Sequence, residues 1–208
     1  MKNKKITLLA TALAFVLSSG AANAAFTGDY AVSNWTFFSS DGGGAVDTSG
    51  APSAITLWSS DTGHPSSSHG WNNHASHHDF FITAASESNI SFNWDYQSFD
   101  TYYDPLDGIF ASTDEDLFGY LHNGIFTQLN VSSDNDWGMM HQSGPYSVHL
   151  LAGEVFGFRF DNSDSTSGNA STAISNFNVT AVPEPETYAM FLAGLGLMGF
   201  MAWRRRSA

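Results

Sequence analysis

The sequence predicts an all-β fold: an antiparallel β-sandwich of jelly-roll-like organisation, flanked by two targeting segments. Three observations predict it. Apolar and polar residues alternate through most of the chain's interior. No stretch there follows the 3.6-residue period of an amphipathic helix. Clusters of Gly, Ser, Asn and Asp interrupt the alternation at short intervals. The 208 residues are 42% apolar and 14% aromatic, enough to bury a core and too many for a disordered chain. A β-solenoid could share that composition, but no fixed repeat period is present.

In chain order, the first element is a secretory signal over residues 1–24. Lys2, Lys4 and Lys5 form its positive start, and Ile6 to Leu17 form an apolar run of 12 residues. That run is shorter than the ~20 residues of a membrane span. Ala22-Asn23-Ala24 is a small-x-small cleavage site, so Ala22 and Ala24 mark the cut and Ala25 begins the mature chain. Residues 25–181 are then one exported sandwich domain. Strands are expected over Val32–Phe38, Ala54–Ser59 and Asp79–Ala84. Ile90, Phe92, Trp94 and Tyr96 alternate with Ser91, Asn93 and Asp95, the pattern of a half-buried strand. Asn123-Gly124 lies between two apolar runs, and both residues tolerate the positive φ of a tight hairpin turn. A strand is expected over Trp137–Gln142. Tyr146, Val148 and Leu150 alternate, Ala152-Gly153-Glu154 turn, and Phe156, Phe158 and Phe160 alternate again, which reads as a second hairpin. Ala173–Val179 is the last strand.

Charge excludes whole classes of function. Only 13% of residues are charged, about half the globular average of roughly 25%. Of the 20 acids, Glu184 and Glu186 lie beyond residue 181, leaving 18 in the body against one base, Arg159. Such a surface cannot neutralise phosphates, so nucleic acid is excluded as a partner; it favours cations or plain solubility. With no cysteine there is no disulfide and no thiolate chemistry.

Candidate sites fall in the loops. His64, His69, His74, His77 and His78, followed by Asp79, form a histidine-rich tract of the kind that binds transition metals, although loop spacing fixes no geometry. On a strand, His77 and Asp79 share one face and His78 takes the other. Asp100, Asp104 and Asp107 cluster in one presumed loop, with Asp114, Glu115 and Asp116 beyond, and Asp134 with Asp136 and Asp161 with Asp164 form smaller groups. Calcium takes six to eight oxygens, often from loop carboxylates. No cofactor is required, but a structural calcium is expected at Asp104 and Asp107, which flank a proline turn. Trp71, in Gly70-Trp71-Asn72-Asn73, and Tyr102-Tyr103, in the acidic loop, are the better-placed aromatics for stacking on a sugar ring. Three glutamates in no close pair, and no Gly-x-Ser-x-Gly elbow, argue against an enzyme; a triad assembled from distant residues stays open.

The C-terminus, residues 182–208, has three parts. Val182, Pro183, Glu184 and Pro185 open it with extended, proline-held backbone. Tyr188 to Trp203 then run 16 residues without a charge, read as a membrane helix over 188–203 with aromatic ends. Arg204, Arg205 and Arg206 close it on the cytoplasmic side. These parts, in this order and with Leu192-Ala193-Gly194-Leu195-Gly196-Leu197 between them, resemble the PEP-CTERM sorting signal, a segment also labelled ice-binding protein C-terminal domain. No regular threonine array supports ice binding. The body is similar to uncharacterised domains that precede such tails, through Val32-Ser33-Asn34-Trp35-Thr36, Gly119-Tyr120-Leu121, Phe126-Thr127-Gln128-Leu129 and Gly153 to Arg159. The resemblance implies export in a Gram-negative bacterium, transient anchoring in the inner membrane, recognition by an exosortase, and delivery to the cell surface or extracellular matrix. The expected function is that of a non-enzymatic exported protein. A carbohydrate-binding module acting on exopolysaccharide is the alternative, and a hydrolase with an unrecognised site comes third.

Overall fold

Every second residue from Ser88 to Ser98 is buried, and this one period sets an 11-residue strand through the middle of the core. The fold is that of a computed structural model, which describes residues 25–40, 43–62, 76–104, 108–111, 116–131, 140–162, 168–182 and 185–206. Among them are twelve strands: β1 (Thr36–Ser39), β2 (Ala45–Asp47), β3 (Ala54–Trp58), β4 (Ser76–Thr83), β5 (Ser88–Ser98), β6 (Thr101–Asp104), β7 (Gly108–Ala111), β8 (Asp116–His122), β9 (Ile125–Gln128), β10 (His141–Leu150), β11 (Val155–Asn162) and β12 (Ala170–Ala181). A helix, α1, follows over Pro185–Arg206.

The strands form two five-stranded sheets and a small ribbon. Sheet A runs β1-β4-β11-β8-β9, sheet B runs β10-β5-β12-β3-β2, and β6 pairs with β7 alone. Every pairing is antiparallel, so the all-β sandwich that the sequence predicts is present. The inward faces meet in a core dominated by rings. Phe92 of sheet B meets Phe158 of sheet A edge-on at 5.0 Å. Trp35 lies flat between Phe80 at 4.9 Å and Phe158 at 5.8 Å. Its indole N–H, which would be costly to bury unpaired, donates to the Tyr30 carbonyl at 3.0 Å. Phe26, one residue past the expected mature start, stacks on Phe177 at 4.4 Å. Phe177 can face inward because two residues of β12, Asn176 and Phe177, stand opposite a single position of β5. That bulge, with Asn176 at φ 50°, reverses the strand's inside–outside phase.

Four expectations change. Val32–Asn34 is a turn of 3-10 helix, and the strand expected over Val32–Phe38 begins at Thr36. The strand expected over Trp137–Gln142 starts at His141 and runs through to Leu150. The second hairpin is no hairpin: β10 pairs with β5 in sheet B, whereas β11 pairs with β4 and β8 in sheet A. The turn around Gly153 (φ 84°) carries the chain across the sandwich, so Leu150 and Phe156 face the core from opposite sides. The Asn123-Gly124 hairpin is as expected, with φ 51° and 82° joining β8 to β9.

The membrane helix is the fourth correction. α1 has 22 residues and starts at Pro185, whose missing N–H costs nothing in a first turn. Among the described residues no helix is long and apolar enough to cross a membrane. The uncharged run of 16 residues spans about 24 Å against a hydrocarbon core of about 30 Å. Gly194, Gly196 and Gly199 add length to it without apolar side chains.

Candidate functional site

Three inward-facing strand patterns change chemistry at the same end of the sandwich. β5 buries Ile90, Phe92, Trp94 and Tyr96, then Ser98, and Asp100 keeps the same phase beyond the strand. β11 buries Phe156, Phe158 and Phe160, then Asn162. β8 opens on Asp116 before Phe118 and Tyr120. Asn162 pairs in register with both Asp116 and Ser76. Asp100 is 1% exposed, Asp116 2%, Asn162 1% and Asn130 3%.

Hydrogen bonds knit this polar layer. The Asn162 amide donates to the Asp116 carboxylate. Tyr96 donates its hydroxyl to the Asp116 carbonyl at 3.1 Å, and the Asn130 side-chain amide donates to the same carbonyl at 3.3 Å. Asn130 Oδ1 in turn accepts from the Phe118 N–H at 2.8 Å. Burial holds the Tyr96 hydroxyl well above the ordinary phenol range, and the charges of Asp116 and Asp100 push it further. Asn162 Oδ1 and Thr172 Oγ1, the latter opposite Tyr96 across β5 and β12, are buried with no hydrogen-bond partner among the described residues.

The outer face of sheet B is a second candidate. In-register rows run across it: His141, Gln97, Ser171, Trp58 and Ala45; then Ser143, Asp95, Ala173, Thr56 and Asp47; then Pro145, Asn93, Ser175 and Ala54. A shallow groove of about 350 Å³ lies over this face, lined by Asn93, Asp95, Ser143, Pro145 and Ser175, with Trp94 and Gly144 also lining it. His141 reaches Asp95 at 2.8 Å. Trp58, half-buried, is the aromatic in these rows.

Two carboxylates elsewhere, Asp79 and Glu154, are held by several donors each. Arg159, the body's one base, grips Asp79 through two hydrogen bonds of 2.6 and 2.7 Å. Those bonds raise its pKa against the opposing effect of burial. Glu154 accepts from the Leu151 N–H at 2.8 Å, from Asn123 at 2.9 Å, and meets His122 at 2.9 Å. The Leu151 N–H, then His122 and Asn123, hold its carboxyl down at about 2.

Sequence-predicted residues distribute unevenly. Trp71 and Asp107 lie outside the described residues, as do Ala22, Ala24, Pro183, Glu184, His64, His69 and His74. Asp104 is the last residue of β6, opposite Gly108. His77 and Asp79 do share the outer face, with Asp79 committed to Arg159 and His77 beside Phe38 at 5.4 Å. His78 is buried between Ser39 at 3.0 Å and Ser76 at 3.3 Å. Asp100 and Asp116, read from sequence as loop charges, are instead the two buried acids of the polar layer. Their signal is in the sequence: each continues the every-second-residue phase of an apolar strand. Val182 donates its N–H to the Glu87 carbonyl at 2.9 Å, and Pro185, Arg204, Arg205 and Arg206 belong to α1.

No curated protein matches the chain in sequence. Several solved structures align with part of the chain. A family 35 carbohydrate binding module from Clostridium thermocellum aligns at 11% identity and TM-score 0.34, over 73% of this chain and 95% of its own. TmCBM61, solved with β-1,4-galactotriose, aligns at 9% and 0.35, over 73% and 90%. The N-terminal cellulose-binding domain of Cellulomonas fimi β-1,4-glucanase C aligns at 9% and 0.30, over 73% and 90%. The family model that matches covers the tail, where the proline-acid opening, the apolar run and the closing arginines stand in order. Residues 181–206 are a PEP-CTERM protein-sorting motif.

Proposed function

We propose that the chain is an exported protein, processed by an exosortase at its tail, whose sandwich serves without catalysis at the cell surface or in the extracellular matrix. The sorting motif over 181–206 carries this reading. β12 ends at Ala181, so removing residues 183–208 takes no strand from the sandwich. Mass spectrometry of surface material should find no peptide containing Arg204. Deleting residues 183–208 should leave the body folded but missorted. A surface protein that keeps its arginines, or a truncated chain sorted as before, would overturn the reading.

The groove on sheet B favours one refinement, polysaccharide as the ligand. Amide, carboxylate and hydroxyl side chains in a shallow groove supply the donors and acceptors that pair with sugar hydroxyls, and Trp58 on the same face offers an apolar ring surface. Saturable retention of the cell's own exopolysaccharide, lost in Asp95→Ala and weakened in Trp58→Ala, is the expected result. Retention that survives both changes would move the site off this groove.

A further inference from the structure

The groove on sheet B carries carboxylates and no lysine or arginine to answer them. Between residues 25 and 181 the chain's one such base is Arg159. It belongs to β11 of sheet A and is spent on Asp79 through two hydrogen bonds. On sheet B, the in-register row Ser143, Asp95, Ala173, Thr56 and Asp47 puts one acid on β5 and another on the edge strand β2. At about 4.8 Å per strand, the two stand roughly 14 Å apart. Asp95 lines the groove, and its side chain is 58% exposed. His141 Nε2 lies 2.8 Å from Asp95 Oδ1, and that histidine is a cation only when protonated. Asp47 accepts from the Ser49 N–H at 2.8 Å, which lowers its pKa and keeps it ionised.

Charge complementarity decides which polysaccharide such a face accepts. A uronate or a sulfated sugar would bring more negative charge to a body whose one arginine is already paired. A neutral sugar would gain hydrogen bonds but leave the carboxylate charge unanswered. A sugar bearing an ammonium group does both. An ammonium has three donors and no acceptor. Asp95 takes one of them in a charge-assisted bond, roughly twice as strong as a neutral one. The side-chain oxygens of Asn93, Ser143 and Ser175, which line the same groove, are acceptors for the others. Between the two acids the row holds only Ala173 and Thr56, a low floor across which a glycan chain can lie.

On the reading that this groove binds polysaccharide, we propose that its ligand is a cationic glycan: a polymer of free, non-acetylated amino sugars whose ammonium groups meet Asp95 and, a few sugars further along, Asp47. Acetylating the amine removes both its charge and two of its donors. The acetylation state of the polymer therefore sets how firmly the protein is held.

The test titrates the full-length protein by calorimetry with three oligosaccharides of one length, at a pH where sugar amines are protonated: glucosamine units, N-acetylglucosamine units and uronate units. The glucosamine oligomer should bind roughly tenfold tighter than its acetylated form, the worth of one hydrogen bond to a charged group. Its advantage should shrink as salt is added, and the uronate should not bind. Asp95→Asn should erase the difference between the two amino sugars, and Asp47→Asn should narrow it. His141→Gln removes the protein's own competitor for Asp95, so it should tighten the glucosamine oligomer. Asp161→Asn, which takes one charge from sheet A instead, should keep the full difference. An equal loss in Asp161→Asn and Asp95→Asn would mean diffuse attraction to an acidic body and overturn the proposal. So would equal affinity for the two amino sugars, a preference that survives Asp95→Asn, or uronate binding bridged by calcium. If none of the three binds while the cell's own exopolysaccharide is still retained through Asp95, the cationic ligand falls and the polysaccharide reading stands. If that retention is absent too, both fall.

Discussion

The two ends of this core solve burial in opposite ways. At the end where the N-terminal segment packs, Phe26, Trp35, Phe80, Phe156, Phe158 and Phe177 touch ring to ring, and the polar atoms among them are few and paired. At the other end the same strands present Ser98, Asp116, Asn162, Ser76 and His78 to the interior. Apolar area is non-directional: rings that lose water gain free energy roughly in proportion to area, whichever neighbours they meet. A buried polar group has no such latitude, because each donor and acceptor must find a specific partner. The aromatic end should therefore yield to changes of volume, and the polar end to changes of hydrogen-bonding pattern and charge.

The largest effect is expected at the aromatic end. Trp35→Ala removes a ring stacked against Phe80 and Phe158 and leaves a cavity in its place. Large-to-small changes of this kind cost about 3–5 kcal/mol. For a chain of this size that lowers the Tm by roughly 6–20 °C. Trp35→Phe should recover most of the loss, although Phe cannot donate to the Tyr30 carbonyl. A denaturant midpoint for Trp35→Ala within experimental error of the parent would break the comparison at its first term.

At the polar end the next effect is smaller and of another kind. Asn130→Ala removes little volume but leaves the Phe118 N–H without its 2.8 Å acceptor. A buried backbone donor left unmet costs about 1–3 kcal/mol. Asn130→Asp keeps an acceptor for the Phe118 N–H but loses the amide that donates to the Asp116 carbonyl and adds a charge to a buried layer, so it should lower the Tm more than Asn130→Ala does. If both variants lose the same stability, volume matters here as much as at the other end, and the contrast fails.

How much of this was legible follows from what each pattern encodes. The alternation from Ile90 to Tyr96 gives β5 because a period of two has one interpretation, and Asn123-Gly124 gives the β8–β9 turn because few other pairs accept two positive φ values. The same alternation cannot say which sheet a strand joins. Tyr146 to Phe160 reads as a hairpin, since inward phase is identical whether the next strand lies beside its predecessor or across the core from it. The acidic cluster from Asp100 to Asp116 is visible as composition. Which members are buried is visible only in phase: Asp116 is two residues before Phe118, and Asp100 is four after Tyr96. Asp104 and Asp107 stand out on loop chemistry alone, which does not report burial. The tail is legible in full as a motif because it is read by order and composition. Its reading as a membrane span depended on length, and there the 16 uncharged residues fall short.

The smallest expected effect lies at the rim of the aromatic end, where a carboxylate stays at the surface and is satisfied by donors. Glu154 ties the turn between β10 and β11 to the β8–β9 hairpin by accepting from the Leu151 N–H, His122 and Asn123. Its folded-state pKa is lowered to about 2 from an ordinary 4.5. A carboxyl whose pKa is lower when folded than when unfolded binds its proton more weakly in the native state. It therefore stabilises the fold above the unfolded value and loses that contribution as pH falls. The window is pH 4.5 down to about 2. Glu154→Gln keeps the size but removes the charge, so it should lower the Tm modestly at neutral pH, and the gap should close on acidification through that window. His122 meets the same carboxylate, so His122→Ala should shrink the gap without abolishing it, because the Leu151 N–H, the first cause of the lowered pKa, remains. A Glu154→Gln difference that is constant from pH 7 to pH 2 would mean the side chain contributes shape rather than charge. The surface acid would then lose its value as a contrast to the buried ones.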